Sequence, residues 1–254
     1  MRSCRGRSPP NAVPDASGGC QGKAMAIPGP NEAGGDGPTE DDGSPACMMH
    51  LVDPASGMLS DEDPRQQQDL KRWRTVERER LIALRLAIPV EERRRLSDRI
   101  AHELDRFLGD LSGKTVAAYL PFRGEPDLRF WIEGLSMRDA IAALPVVVAP
   151  RSPLEFRTWR PGEPLRPGVW NIPVPAGGTV VTPDVVIAPV VGYDAACYRL
   201  GHGGGFYDRT LAILPHRPRI VGVGYERLAL RTIYPQTYDV PMDAIVTEAG
   251  VSTR

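Results

Sequence analysis

The sequence predicts an α/β domain in which helices flank a mainly parallel sheet, preceded by a disordered N-terminal segment. Three observations lead to this prediction. Beyond residue 68, apolar β-prone runs alternate with helical segments. The first 68 residues are instead rich in Gly, Pro, Asp and Ser and follow neither a helical nor a strand period. A glycine-rich stretch lies between one apolar run and a helical segment, where backbone N–H groups can converge on an anion.

Residues 1–68, which we call the leader, cannot bury enough apolar surface to offset chain entropy, so we predict that they are disordered. The folded domain is expected to span residues 69–254. The leader holds 5 basic and 10 acidic residues, a balance of −5, and the remainder holds 26 and 22, a balance of +4. A mildly basic domain suits small anionic ligands better than extensive nucleic-acid binding. No apolar run is long enough to span a bilayer, so no membrane partner is expected.

The cysteines indicate a reducing cytoplasm. Cys4, Cys20, Cys47 and Cys197 form no C-x-x-C pair, and three of them lie in the leader. Neither a disulfide framework nor a zinc site is therefore indicated. Cys197 is a nucleophile in principle, but a small residue in a turn explains it better.

The helical segments carry ordinary start and stop signals. Residues 69–86 form a charged first helix, and Pro89 opens a second that ends near Gly109. Two further helices are predicted, at residues 128–135 and from Asp208 onward. Strands are predicted at residues 115–120, 140–148, 154–159, 185–191, 219–225 and 244–247. The proline-rich segment 160–175 is predicted to be a long loop, and such loops are seldom structural filler.

The glycine-rich stretch, residues 199–209, reads R-L-G-H-G-G-G-F-Y-D-R. Its four glycines allow close backbone approach to a phosphate, and Arg199 and Arg209 add charge and bidentate donors. Asp208 is placed to hold a hard divalent cation beside the phosphates. A plain turn remains an alternative at this point, because the stretch has neither a Walker lysine nor the ribose-binding acid of a Rossmann fingerprint.

This stretch closely resembles the R-L-G-Y-G-G-G-Y-Y-D-R signature of the 5-formyltetrahydrofolate cyclo-ligase family, also called methenyltetrahydrofolate synthetase. Residues 119–125 are similar to the family string Y-L-P-F-x-G-E, and residues 170–173 match a W-N-I-P-like string. The resemblance extends from about Arg74 to Thr247. It implies ATP- and Mg²⁺-dependent conversion of 5-formyltetrahydrofolate into 5,10-methenyltetrahydrofolate, with ADP and phosphate released.

The resemblance also implies roles for individual residues. The implied ATP-binding residues are Arg74, Arg78, Arg199, Gly201, His202, Gly203, Gly204, Gly205, Phe206 and Tyr207. The implied folate-binding residues are Leu120, Glu125, Trp170, His202, Gly203, Gly204, Gly205 and Phe206. Arg199, His202 and Tyr207 are implied as catalytic, and Asp208 and Asp239 as magnesium ligands. The alternatives are a solvated turn carboxylate for Glu125 and an aromatic plug beneath a loop for Trp170.

The chain departs from the family pattern at several of these positions. Arg74 and Glu77 stand where the family has lysine and leucine, His202 replaces a tyrosine, and Tyr238 replaces a histidine. Two alternative functions therefore stay open: a paralogue with a retained nucleotide site that acts on another small heterocycle, and a non-catalytic binding module. A monomer acting on a small folate, with or without a polyglutamate tail, is expected.

Overall fold

The computed structural model describes residues 64–254. Four helices are present in this part: α1 Pro64–Leu86, α2 Val90–Leu108, α3 Arg129–Glu133 and α4 Phe206–Ile213. The strands are β1 Thr115–Ala117, β2 Ile141–Val147, β3 Leu154–Thr158, β4 Leu165–Pro167, β5 Pro173–Pro175, β6 Val180–Val181, β7 Val185–Pro189, β8 Gly192–Asp194, β9 Arg199–Leu200, β10 Arg219–Val223, β11 Ala229–Leu230, β12 Ala244–Thr247 and β13 Gly250–Thr253. For residues 1–63, the prediction that the leader is disordered lies outside the described part of the chain. For residues 64–68 the prediction is wrong, because α1 begins at Pro64.

The main sheet confirms the predicted fold class. Its eight strands follow the order β13-β12-β10-β7-β1-β2-β3-β6. The five strands from β12 to β2 are mutually parallel, and β13, β3 and β6 pair antiparallel at the two ends. Parallel strands covered on both faces are apolar at nearly every position, which explains the unbroken apolar runs in the sequence.

Helices cover both faces of this sheet, as predicted. On one face, Ile187 and Val221 pack in a core with Ile100 and Leu104 of α2. On the other face, Val186 packs against partly buried residues of α4. Successive residues of a strand point to opposite faces, so one apolar run supplies both cores.

The first two helices bury different kinds of residue. Helix α2 follows Pro89, buries an apolar stripe and ends at Gly109, whose φ of 68° is suited to glycine. Helix α1 buries two leucines and two arginines, Arg74 and Arg85. The buried arginines explain why its sequence shows no clean apolar stripe.

The prediction that residues 160–175 form a loop without regular structure is wrong. Strands β4 and β5 pair antiparallel there, joined by a 3-10 turn at Val169–Asn171. Prolines occupy positions in both strands and masked the strand pattern. The turn requires Gly168, because a Cβ at this position would lie 2.8 Å from the Ile172 carbonyl oxygen.

Two short features of the C-terminal half also differ from the prediction. Strand β12 was predicted to be the last strand, but β13 follows it through a tight turn. A separate three-stranded sheet, in the order β11-β8-β9, includes the first two residues of the glycine-rich stretch. Residues 201–205 therefore follow the short strand β9 directly, and this strand carries Arg199.

Candidate active site

A cavity of about 760 Å³ lies beyond the carboxyl ends of β1, β2 and β7. This is the edge at which open parallel sheets bind ligands. The predicted site residues that line it are Arg74, Arg78, Leu120, Glu125, Trp170, Arg199, Gly201, His202, Gly203, Gly204, Gly205, Phe206, Tyr207, Asp208 and Asp239. The structure thus brings every predicted site residue to one cavity.

The glycine loop, residues 201–205, connects β9 to α4. Gly203 and Gly205 have φ values of 92° and 62°, a region that side chains disfavour. A Cβ on Gly205 would also lie 2.8 Å from a guanidinium nitrogen of Arg209, and a Cβ on Gly203 would lie 3.5 Å from the guanidinium carbon of Arg78. Glycine at both positions keeps the backbone of the loop accessible from the cavity.

Two arginine–aspartate pairs line one side of the cavity, which we call the arginine side. Arg74 Nη2 lies 2.6 Å from Asp239 Oδ2 and also donates to the Tyr234 carbonyl at 2.8 Å. Arg199 Nη2 lies 2.9 Å from Asp208 Oδ2. Both guanidinium groups are almost fully buried, so each pair keeps a buried cation compensated.

Arg78 lies between these pairs and the glycine loop. Its Nε donates to the Gly201 carbonyl at 2.7 Å. Burial and the neighbouring charge of Arg74 lower the pKa of Arg78, and the nearby carboxylate of Asp239 partly opposes this shift. The guanidinium remains charged at neutral pH, because an arginine pKa starts far above that range.

Tyr207 lies in the first turn of α4, where it is partly buried and lines the cavity. Burial, followed by the charge of Glu125, raises the pKa of Tyr207, and Arg199 partly opposes the rise. The Arg199 guanidinium lies 5.5 Å from the centre of the tyrosine ring. Tyr207 is therefore a neutral phenol at physiological pH, suited to hydrogen bonding and not to action as an anionic base.

Glu125 also lines the cavity, and its carboxylate is only 3% exposed. Its Oε2 accepts the Phe122 backbone N–H at 2.9 Å, and its Oε1 lies 2.9 Å from His202 Nε2. The alternative that Glu125 is a turn carboxylate in water is therefore wrong. The His202 contact joins the Glu125 turn to the glycine loop.

A group of rings that includes His202 forms the aromatic side of the cavity next to this carboxylate. Phe122 and Trp170 are nearly parallel, with ring centres 6.1 Å apart and an interplanar angle of 10°. His202 meets Phe122 edge-on at 5.4 Å, and Phe206 meets Trp170 edge-on at 6.4 Å. Trp170 is 52% exposed, so it is not a plug beneath a loop and can stack on a flat ligand.

Several cavity residues were not predicted as site residues. Lys71 and Arg166 also line the cavity, and so does the second half of β2. Lys71 lies three residues before Arg74 on α1. Because residues three apart share a helical face, this spacing could have predicted Lys71 as a further cavity residue. Arg166 belongs to the hairpin that the sequence did not reveal. Arg209 donates to the Gly204 carbonyl, and its buried Nε has no partner among the described residues.

Asp208 and Asp239 fit a magnesium ion whose other ligands are phosphate oxygens and water. Among residues 64–254, no group of three or more His, Cys, Asp or Glu side chains is placed to hold a metal. Magnesium usually takes one or two carboxylates together with phosphate oxygens and water. Asp208 and Asp239 both line the cavity, and the Val240 N–H donates to Asp208 Oδ1 at 3.1 Å, which links the two segments.

The fold and the cavity define an α/β protein whose cavity combines arginines and a glycine loop with a buried glutamate and aromatic rings. The chain belongs to the 5-formyltetrahydrofolate cyclo-ligase family, whose model matches residues 70–248. It is therefore a member of a ligase family of folate metabolism.

Curated relatives and solved structures agree with this assignment. The chain is 31% identical over 175 residues to a 5-formyltetrahydrofolate cyclo-ligase of Escherichia coli K12, which covers 66% of this chain and 96% of the relative. It is 31% identical over 145 residues to the Mycolicibacterium smegmatis enzyme of that name, covering 54% and 75%. A solved structure of Aquifex aeolicus 5,10-methenyltetrahydrofolate synthetase superposes with a TM-score of 0.62 at 30% identity, covering 71% of this chain and 92% of that one.

Proposed function

We propose that this protein catalyses the ATP- and Mg²⁺-dependent conversion of 5-formyltetrahydrofolate into 5,10-methenyltetrahydrofolate, with ADP and phosphate released. One observation carries the proposal: a single cavity, in a chain of this family, combines paired arginines and a glycine loop with a buried glutamate and stacked aromatic rings. The first half of that set suits a triphosphate, and the second half suits a pterin.

The chemistry needs activation of a poor electrophile. The formyl carbon of an N-formyl group resists attack because nitrogen donates electrons into the carbonyl. Transfer of the terminal phosphoryl group of ATP to the formyl oxygen creates a leaving group and releases ADP. Nitrogen 10 then attacks the formyl carbon and loses its proton. The carbon–oxygen bond breaks as the ring closes, and phosphate departs and can carry that proton.

The arginine side is proposed to bind the triphosphate. Arg74, Arg78 and Arg199 supply charge and N–H donors, and the glycine loop supplies backbone N–H groups. Such a site works mainly by positioning the reactants and balancing charge, so little acid–base chemistry by side chains is required.

Asp208 and Asp239 are proposed to hold Mg²⁺. The ion, when bound, would neutralise phosphate charge at this side of the cavity. Each aspartate also compensates a buried arginine, so both carboxylates contribute to the site before any ligand arrives.

The aromatic side is proposed to bind the folate. Glu125 would accept hydrogen bonds from the pterin, with Leu120 and Phe206 in apolar contact and Trp170 stacked on a flat ring. His202 would orient Glu125 through their 2.9 Å contact. Tyr207, a neutral phenol, would donate a hydrogen bond near the transferred phosphoryl group.

We further propose that the protein acts as a cytoplasmic monomer on a folate with or without a polyglutamate tail, and that it has no nucleic-acid or membrane partner. No helix within residues 64–254 is both long and apolar enough to cross a bilayer. The departure at Glu77 does not favour the paralogue alternative, because this side chain pairs with Arg80 on α1 and does not line the cavity.

The test is a direct assay of the purified protein. Near-ultraviolet absorbance should rise as the methenyl product forms, and only when ATP, Mg²⁺ and 5-formyltetrahydrofolate are all present. Absence of product from folded protein that still binds ATP would overturn the folate assignment and favour the paralogue.

A further inference from the structure

Arg85 of α1 is a buried cation that does not line the cavity. Its side chain is fully buried, and α1 turns it toward the loop after β1 and not toward solvent. Burying an arginine is costly unless its donors are satisfied. The partners of Arg85 therefore indicate which part of the molecule the buried guanidinium stabilises.

Those partners belong mainly to the turn that carries Glu125. Arg85 Nε donates to the Arg123 carbonyl at 2.9 Å, and Nη2 donates to the Phe122 carbonyl at 3.4 Å. Nη1 donates to the Val190 carbonyl at 3.3 Å, just beyond β7. One guanidinium thus ties the turn at residues 122–125 to the end of a central strand.

The backbone of this turn is closed by the Glu125 N–H, which donates to the Phe122 carbonyl at 3.1 Å, and it is strained at Arg123. Arg123 and Gly124 have φ values of 47° and 75°, two successive residues in the left-handed region. A Cβ on Gly124 would lie 3.6 Å from Arg85 Cγ, so the turn packs directly over the arginine. The turn sets the direction of Phe122 and Glu125, both of which line the cavity.

Arg85 also supplies buried positive charge close to Glu125. Its Nη2 lies 3.9 Å from Glu125 Oε1, the oxygen that His202 also contacts. Burial lowers the pKa of Arg85, and the charge of Glu125 is the largest opposing cause. The carboxylate is thus held between an arginine behind it and a histidine at the cavity surface.

We propose that Arg85 is a positioning residue for the folate: its buried guanidinium fixes the turn at residues 122–125 and the Glu125 carboxylate, and it acts on the ligand only through them. This inference rests on the proposed function, because it concerns a residue that holds the aromatic side of the cavity in place for the folate. It predicts that Arg85 affects folate recognition and leaves nucleotide recognition nearly unchanged.

The experiment compares R85M, R85K, E125Q and the double variant R85M/E125Q in the full chain. R85M should raise the KM for 5-formyltetrahydrofolate by about tenfold or more, the range expected for lost hydrogen bonds of a charged group, with the KM for ATP within about twofold of the wild type. R85K keeps the charge and should recover part of the loss. In the E125Q background, R85M should add less than about twofold, because both changes act through one carboxylate.

Arg93 provides a matched control. It also donates to two backbone carbonyls, those of Leu86 and Ile88, but it neither touches Glu125 nor lines the cavity. R93M should lower the denaturant midpoint of unfolding without changing the KM for folate. Equal rises in both KM values for R85M, or full additivity with E125Q, would mean that Arg85 only supports packing and would overturn the proposal.

Calorimetric titration with 5-formyltetrahydrofolate in the absence of ATP separates this inference from the proposed function. A wild type that binds folate without turnover would overturn the proposed activity, and the same variants would still test Arg85 through their affinities. A folded wild type that binds no folate would overturn both. Should R85M not fold, R85K and its double variant with E125Q provide the comparison.

Discussion

The two sides of the cavity handle charge in opposite ways. On the arginine side, cations and carboxylates are matched in pairs, Arg74 with Asp239 at 2.6 Å and Arg199 with Asp208 at 2.9 Å. On the aromatic side, the single carboxylate of Glu125 lies next to a group of rings and is approached by a histidine and a buried arginine. Under the proposed function, the first side would exchange partners with a charged ligand, whereas the second would recognise a ligand by shape and a few hydrogen bonds.

This difference predicts where substitutions cost most. Removing one member of a buried ion pair leaves an uncompensated charge, so the arginine side should lose stability and activity together. On the aromatic side Trp170 is half-exposed, and a change there should chiefly affect ligand affinity. Glu125 is the exception, because it faces the buried Arg85 and its loss should also cost stability. The predictions below test this contrast in order of decreasing effect.

The largest effect is expected for D208N. Turnover should fall by about 100-fold or more, because charge balance around the transferred group is the main catalytic contribution of such a site. The free energy of unfolding should also fall by about 2–3 kcal/mol, since Arg199 loses its partner and Asp208 is itself partly exposed. Titration of kcat with Mg²⁺ and urea unfolding measure the two effects.

D243N is the matched control for D208N. Asp243 likewise accepts one arginine, Arg217, at 2.6 Å and one backbone N–H, that of Ile220, at 2.7 Å, but it lies outside the cavity. The D243N variant should keep wild-type kcat at every Mg²⁺ concentration. Wild-type turnover in D208N at saturating Mg²⁺ would remove Asp208 from the metal site.

A moderate effect is expected for E125Q. The KM for folate should rise by about tenfold because a charged acceptor becomes a neutral amide, and the KM for ATP should stay close to the wild-type value. Glu163 is the control, since its Oε2 accepts the N–H three residues earlier at 2.9 Å in the same way, outside the cavity. Steady-state kinetics measure both KM values. An unchanged KM for folate in E125Q would contradict the proposed role of Glu125 in folate binding.

A smaller effect is expected for W170A. Loss of one stacking face should weaken folate binding by about three- to tenfold, the range for an aromatic contact beyond its buried area. Stability should change little, because the side chain is half-exposed. F130A removes another exposed aromatic side chain away from the cavity and should leave affinity unchanged. Calorimetry on both variants provides the measurement, and equal affinities for W170A and the wild type would exclude stacking.

The smallest effect is expected for deletion of residues 1–63. Among residues 64–254, the lining of the cavity begins at Lys71. We therefore expect kcat and both KM values to stay within about twofold of the full chain, a change below about 0.5 kcal/mol. Loss of turnover from the shortened but folded chain would show that the leader contributes to activity.

Local chemistry made much of the fold and the cavity predictable. The run at residues 185–191 and the capping signals of α2 predicted their elements, because apolar periodicity and helix ends act over a few residues. The glycine loop could be recognised since only glycine serves where Gly203 and Gly205 lie.

Long-range partners could not be predicted in the same way. Arg74 and Asp239 are 165 residues apart, and no sequence pattern shows that they form a pair. Arg85 was overlooked because an arginine in a charged helix normally faces solvent, and only the tertiary structure shows its carbonyl partners. The prolines of β4 and β5 obscured the strand pattern of this hairpin. The position of Arg166 in the cavity could therefore not be predicted either.

The left-handed backbone at Trp170 has a practical consequence. With a φ of 56°, this residue holds its indole half-exposed at the cavity, whereas Trp131 and Trp159 are buried in the core. A ring that stacks on Trp170 would change the polarity around this fluorophore. Trp73 is a second partly exposed tryptophan, next to Arg74 and edge-on to Tyr234 at 5.0 Å, so it would report on the arginine side. In a W73F background, intrinsic emission should therefore report occupancy of the proposed folate side.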